Sequence, residues 1–168
     1  MDNKKQYYSF TTKSSGGLLN ALRNEAFIIV DNGAKSKQVI ALWDTGATGT
    51  CISTDVAKEL SLIPSGRQII KTPSGQKEVN TYLISVGLPN HVTIEGIQAC
   101  ETEIGNQGIG MLIGMDIIGL GDFSVTNYQR NTVFTYRIPS QGTIDFVEKQ
   151  RLENLVGPKH GKGKRKKR

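Results

Sequence analysis

The segment Ala41-Leu42-Trp43-Asp44-Thr45-Gly46-Ala47-Thr48 sets one carboxylate between an apolar run and a group of small residues. At the end of a strand that reads as buried, an ionised carboxylate is costly unless a second group shares its charge or its proton. With such a sharer, it can do general acid and base work on a bound water. Gly46 lets a backbone approach closely, and Thr45 offers a hydroxyl to a neighbouring main-chain group. Taken alone, Asp-Thr-Gly is equally readable as an ordinary Asp where a strand enters a turn. Cys51 and His91 are the other nucleophile and base on offer. Cys51 lies in the apolar run 50–53 and reads as a small core residue, whereas His91 follows Pro89-Asn90 in a turn and reads as solvated. Trp43 reads as core or pocket wall. The glycines at 108, 110 and 114 have the wrong spacing for a dinucleotide fingerprint, and "GPKHGKGK" (157–164) has the wrong interval for a phosphate loop.

Short β-like runs separated by turn residues surround Asp44. Runs 26–31 and 38–44 flank Asn32-Gly33, a strong hairpin signal. A brief strand is expected at 50–53 and a short helix over 53–60, with Ser53 or Thr54 as its N-cap. Residues 67–88 read as a long hairpin with Pro73-Ser74-Gly75 at its tip. Further strands are expected at 91–100 and 132–138, with an apolar, Gly-rich stretch over 109–127 and a helix over 143–156. A short strand at 7–11 is compatible with the otherwise polar N-terminus. The coarse expectation is mostly β with little helix.

Asp44-Thr45-Gly46-Ala47, a brief strand, a hairpin and, about seventy residues on, Met111-Leu112-Ile113-Gly114-Met115-Asp116 follow one another in a telling order. Over residues 25–138 this order resembles the retropepsin family of aspartic proteases, and the run from Leu112 to Pro139 is similar to its bacterial, non-viral branch. The resemblance implies a closed, mostly β acid-protease barrel with one or two short helices, acting as a homodimer. It implies an aspartic endopeptidase whose water is activated by two Asp44 residues, one from each subunit. Carboxylates that close share a proton, because both cannot ionise cheaply. Only one Asp-Thr-Gly occurs; Asp55, Asp116, Asp122 and Asp145 lack the motif. By the same resemblance, Thr45, Gly46 and Ala47 support the active-site loop, with Thr45 bonding across the dimer axis. Gly46, Ala47, Thr48, Pro73, Ser74 and Gly75 would contact substrate, and neither metal nor cofactor is implied. Viral members typically carry an acid and an Arg where this chain has Thr48 and Met115, both neutral; losing the two together strands no charge. The alternative reading is a catalytically silent dimeric module that keeps the fold and presents a peptide groove.

The 168 residues suit one domain and a tail. We divide the chain into a polar N-terminal extension (1–22), also readable as a removable pro-segment, a retropepsin-like domain (23–140), a helix (141–156) and a basic disordered tail (157–168). The net charge of +6 belongs to that tail. Its last ten residues hold seven Lys and Arg and no acid, which leaves 14 basic against 15 acidic residues elsewhere. The tail suggests nonspecific polyanion contact, and a third class of reading is a nucleic-acid-associated protein in which it dominates. Without an aromatic it has nothing to stack on bases. No run of 18 apolar residues suggests a membrane span. Two isolated cysteines and no secretory signal point to a reduced, cytoplasmic chain.

Overall fold

Alternation decides which faces meet. Ala26, Ile28 and Val30 point into the core, as do Val39, Ala41 and Trp43 on the next strand. The computed structural model describes residues 6–72 and 75–156. Its strands are β1 (Tyr8–Lys13), β2 (Arg23–Val30), β3 (Lys35–Trp43), β4 (Cys51–Ser53), β5 (Gly66–Thr72), β6 (Gly75–Gly87), β7 (Thr93–Thr102), β8 (Met111–Ile113), β9 (Asp122–Thr126) and β10 (Val133–Ile138). Its helices are α1 (Thr54–Glu59), α2 (Met115–Ile118) and α3 (Phe146–Val156).

Six strands close a barrel in the order β2-β3-β8-β4-β7-β6, because β6 also pairs with β2 from Phe27↔Gly87 to Ile29↔Ser85. Closure removes the sheet edges that would otherwise be exposed. Asp31 and Asn32 take positive φ angles of 52° and 53° in the turn joining β2 to β3, and an eight-position antiparallel ladder runs from it. β5 hangs on β6 alone, so the hairpin stands at the rim of the barrel. Ser53 caps α1, its hydroxyl accepting from the Val56 N–H.

A second sheet, β1-β10-β9, packs beside the barrel. β1, from the stretch before residue 23, pairs with β10 over six positions, so this stretch carries more than polar chain. Phe10, Phe123, Phe134 and Tyr136 surround the Trp43 ring, and Phe123 stacks on it at 5.4 Å between centroids. Trp43 is therefore core, and it anchors the end of β3 just before Asp44. α3 begins at Phe146 rather than at Thr143, because the Asp145 carboxylate accepts from the Val147 and Glu148 N–H groups and sets the N-terminus there. Its side chains up to Leu155 are exposed.

Candidate active site

β3 and β8 run parallel, with Ala41, Leu42 and Trp43 opposite Met111, Leu112 and Ile113. The Asp44 N–H extends this pairing by donating to the Ile113 carbonyl at 3.0 Å. The chain then turns sharply: the Ala47 N–H returns to the Asp44 carbonyl, and the Gly46 N–H donates to Asp44 Oδ1 at 2.8 Å. A Cβ on Gly46 would sit 3.1 Å from that same oxygen, so glycine keeps space beside the carboxylate.

A second layer of bonds ties the loop to the apolar motif in the far half of the sequence. The Met115 N–H donates to the Ala47 carbonyl at 2.8 Å and the Asp116 N–H to the Thr48 carbonyl at 3.2 Å. Gly114 lies so near Gly49 that a Cβ there would come within 2.5 Å of a backbone carbon. Two segments about seventy residues apart thus form one hydrogen-bonded knot. Asp116, passed over because it lacks the Asp-Thr-Gly motif, belongs to this knot. Its carboxylate accepts from the Thr50 N–H, the Thr50 hydroxyl and the Ile117 N–H.

The structure corrects two expectations. Asp44 is half-buried in the single chain rather than buried, because strand alternation turns it onto the face opposite to Trp43, which it shares with Leu42. Cys51 is half-buried and outside the core cluster; Ile52, its neighbour, takes the inward position. Thr45, Gly46 and Thr48 are exposed, and Ala47 is half-buried. Gly75 opens β6 at φ 121°, where a side chain would be strained. Pro73 and Ser74 lie outside the described residues, as does the basic tail from 157 onward. His91 is exposed in a turn with φ 62°.

Strand register also reveals a wall that sequence reasoning missed. Leu42 pairs with Leu112, Leu112 with Cys51, Cys51 with Cys100 and Cys100 with Thr81. Paired residues share a face, so this row crosses the outside of the barrel on the side of Asp44. Leu42, Leu112 and Cys51 are half-buried, while Cys100 is covered, its Sγ 3.5 Å from Gln68 Oε1 of the hairpin. The alternation of Leu42 against Trp43 was the available signal. Burial foremost, then the neighbouring Cys100, Asp116 and Asp44, pushes the Cys51 thiol up to about 12. Cys51 is thus held neutral, as apolar lining rather than as a nucleophile.

Among the described residues no group of three or more His, Cys, Asp and Glu is placed to hold a metal ion. Among them, too, no helix is long and apolar enough to cross a membrane.

No curated protein matches the chain in sequence. A retropepsin-like aspartic protease from Rickettsia conorii superposes with a TM-score of 0.51 at 15% identity, covering 80% of this chain and 98% of that one. The simian foamy virus (mac) protease aligns with a TM-score of 0.41 at 22% identity, over 58% of this chain and 92% of its own. The retroviral protease-like domain of Ddi1 from Leishmania major gives 0.43 at 16% identity, over 69% and 94%. The Rickettsia structure shares the fold: a mostly β, closed retropepsin-like barrel with few short helices. The sequence profile of the gag-polyprotein putative aspartyl protease family matches residues 29–119, more than half of the chain and the whole span from the end of β2 through the Asp44 loop, the hairpin and α2. The chain belongs to this retropepsin-like family of aspartic proteases.

Proposed function

We propose that the protein is an aspartic endopeptidase whose active unit is a homodimer, with the two Asp44 carboxylates sharing one water and one proton. The observation that carries this reading is the outward-facing, half-buried Asp44 fixed in a knot of main-chain bonds, one such carboxylate per chain. A single carboxylate cannot both deprotonate the water and protonate the scissile carbonyl oxygen at the same moment. Two brought together divide the work: the ionised one accepts a proton from water, and the protonated one donates to the carbonyl oxygen. The resulting gem-diol then collapses, with a proton passed to the leaving nitrogen. Thr45, exposed beside Asp44, is available to bond across the two-fold axis.

The substrate is a peptide or protein segment. Gly46, Ala47 and Thr48 would line its path on the loop, and the hairpin that carries Gly75 would cover it. The row Leu42, Leu112 and Cys51 favours apolar side chains beside the scissile bond. The two free thiols suit a reducing compartment, and we assign the enzyme to the cytoplasm. The tail from residue 157 would add nonspecific polyanion contact without entering the chemistry.

The test is cleavage of apolar-centred peptides from pH 4 to 8. Asp44→Asn keeps the shape and removes the ionisable group. It is expected to lower kcat by about a thousandfold or more while the fold survives. A statine-type peptide, whose hydroxyl stands in for the tetrahedral species, should compete. Unchanged cleavage by purified Asp44→Asn would end this reading.

A further inference from the structure

We infer that Asp116 is a positioning residue for the Asp44 loop, acting with Thr50 as a clamp beneath it; this rests on the peptidase reading above. The observations start with what each oxygen of Asp116 holds. Oδ2 accepts from the Thr50 N–H at 2.9 Å, and Oδ1 accepts from the Thr50 hydroxyl at 2.8 Å and from the Ile117 N–H at 2.9 Å. Thr50 is fully buried and uses its hydroxyl twice, because that oxygen also accepts from the Gly114 N–H at 3.3 Å. No cation is paired with Asp116 among the described residues, so hydrogen-bond donors alone hold the carboxylate. Bonds to a charged acceptor are the stronger kind, and the two from one residue fix direction as well as distance.

The placement explains why a charge is spent there. Residues 44–50 leave β3, turn and enter β4, and a loop of that length has many alternatives open to it. Its entrance is set by the Asp44 N–H on Ile113, and its middle by the Met115 and Asp116 N–H groups on Ala47 and Thr48. Its exit, at Thr50, is set by the Asp116 side chain. One four-residue helix, α2, therefore holds the middle of the loop with its backbone and the end with its second side chain. The direction of the Asp44 carboxylate follows from all three attachments. Two Asp44 groups that must share a water tolerate little misplacement, since a shift near 1 Å can cost about a hundredfold in rate. Asp116 does not touch substrate; it acts through the loop.

Three variants of the full chain test the clamp. Asp116→Ala removes both acceptor oxygens and with them all three hydrogen bonds, and Thr50→Val removes the hydroxyl with little change in volume. Thr50→Ser keeps the hydroxyl and serves as the conservative rescue. For Asp116→Ala and Thr50→Val, kcat is expected to fall roughly ten- to a hundredfold and KM to rise by much less, because the Leu42–Leu112 wall lies on β3 and β8 while Gly46, Ala47 and Thr48 lie on the loop itself. Thr50→Ser should recover most of kcat. Amide hydrogen exchange on the same proteins supplies the readout independent of activity. Protection should drop at Thr50, Met115 and Asp116 while the β3 amides Val39 to Ala41 stay protected. If the wild type cleaves nothing, the peptidase reading fails and exchange alone decides the clamp. Unaltered kcat and unaltered protection in Asp116→Ala would overturn it. So would protection lost equally in β3, which would make Asp116 a general stability residue.

Discussion

The Asp44 loop and the hairpin of β5 and β6 are held in opposite ways. The loop carries few side-chain contacts of its own but is bonded through its backbone to β8 and α2 at three points, with the Thr50–Asp116 bonds as a fourth. The hairpin has a regular ladder, from Gly66↔Thr81 to Thr72↔Gly75, yet β5 is paired on one side only and exposes Arg67 and Ile69. Towards the hairpin's free end its side-chain ties to the body are the surface pair Lys77–Glu103 at 2.7 Å and the contact of Gln68 Oε1 with Cys100 Sγ at 3.5 Å, and exposed pairs are worth little. The difference fits a division of labour. On the proposed reading, the loop that would hold a carboxylate to a fraction of an ångström is knotted into the barrel, and β5, beside which a peptide would enter and leave, is attached along one edge.

The largest effect should come from loosening the knot. Gly114→Ala places a Cβ within about 2.5 Å of the Gly49 carbon and 2.6 Å of its oxygen, with no flexible side chain to give way. We expect a stability loss of roughly 1–3 kcal/mol and a larger fall in kcat than in KM, measured by urea unfolding and steady-state kinetics. A fully active, fully stable Gly114→Ala would mean that the loop is not locked from below.

A smaller and different effect is expected from the hairpin. Gly75→Ala forces a side chain onto φ 121°, a local cost of about 1–2 kcal/mol. Because β5 is an edge strand, the cost should stay in the hairpin, raising KM several-fold with little change in melting temperature. A fall in kcat as large as that of Gly114→Ala would erase the contrast between the two regions.

The smallest change should follow Lys77→Ala. The partner Glu103 raises the Lys77 ammonium above its usual value, but both groups are fully exposed and screened. Melting temperature should hold to within a degree or so, and peptide cleavage to within about twofold. A marked loss of stability would show that the hairpin is held far more firmly than its edge position suggests.

Much of this molecule was readable before its structure because the signals were local. Inward Ala26, Ile28 and Val30 mark β2 by their period of two, and Ser53 marks the start of α1 by its capping chemistry. The Asp44 motif was legible for the same reason, its four residues being contiguous. What escaped depends on partners far apart in the chain. Ring closure by β2 on β6 and the six-position pairing of β1 with β10 have no local mark. The role of Asp116 turns on Thr50, 66 residues away. Cys51 was misplaced because β4 has three residues, too few for its apolar run to show which side faces in.

A titration decides whether two chains build one site. Peptidase activity per chain is measured over a dilution series, with sedimentation in parallel to give the dimer fraction. If two Asp44 residues make one site, specific activity falls with the dimer population, following mass action. Asp44→Asn chains added in excess then suppress the remaining activity by forming mixed dimers. Full activity in a species that sediments as a monomer, indifferent to added Asp44→Asn, would mean that Asp44 works without a second copy of itself.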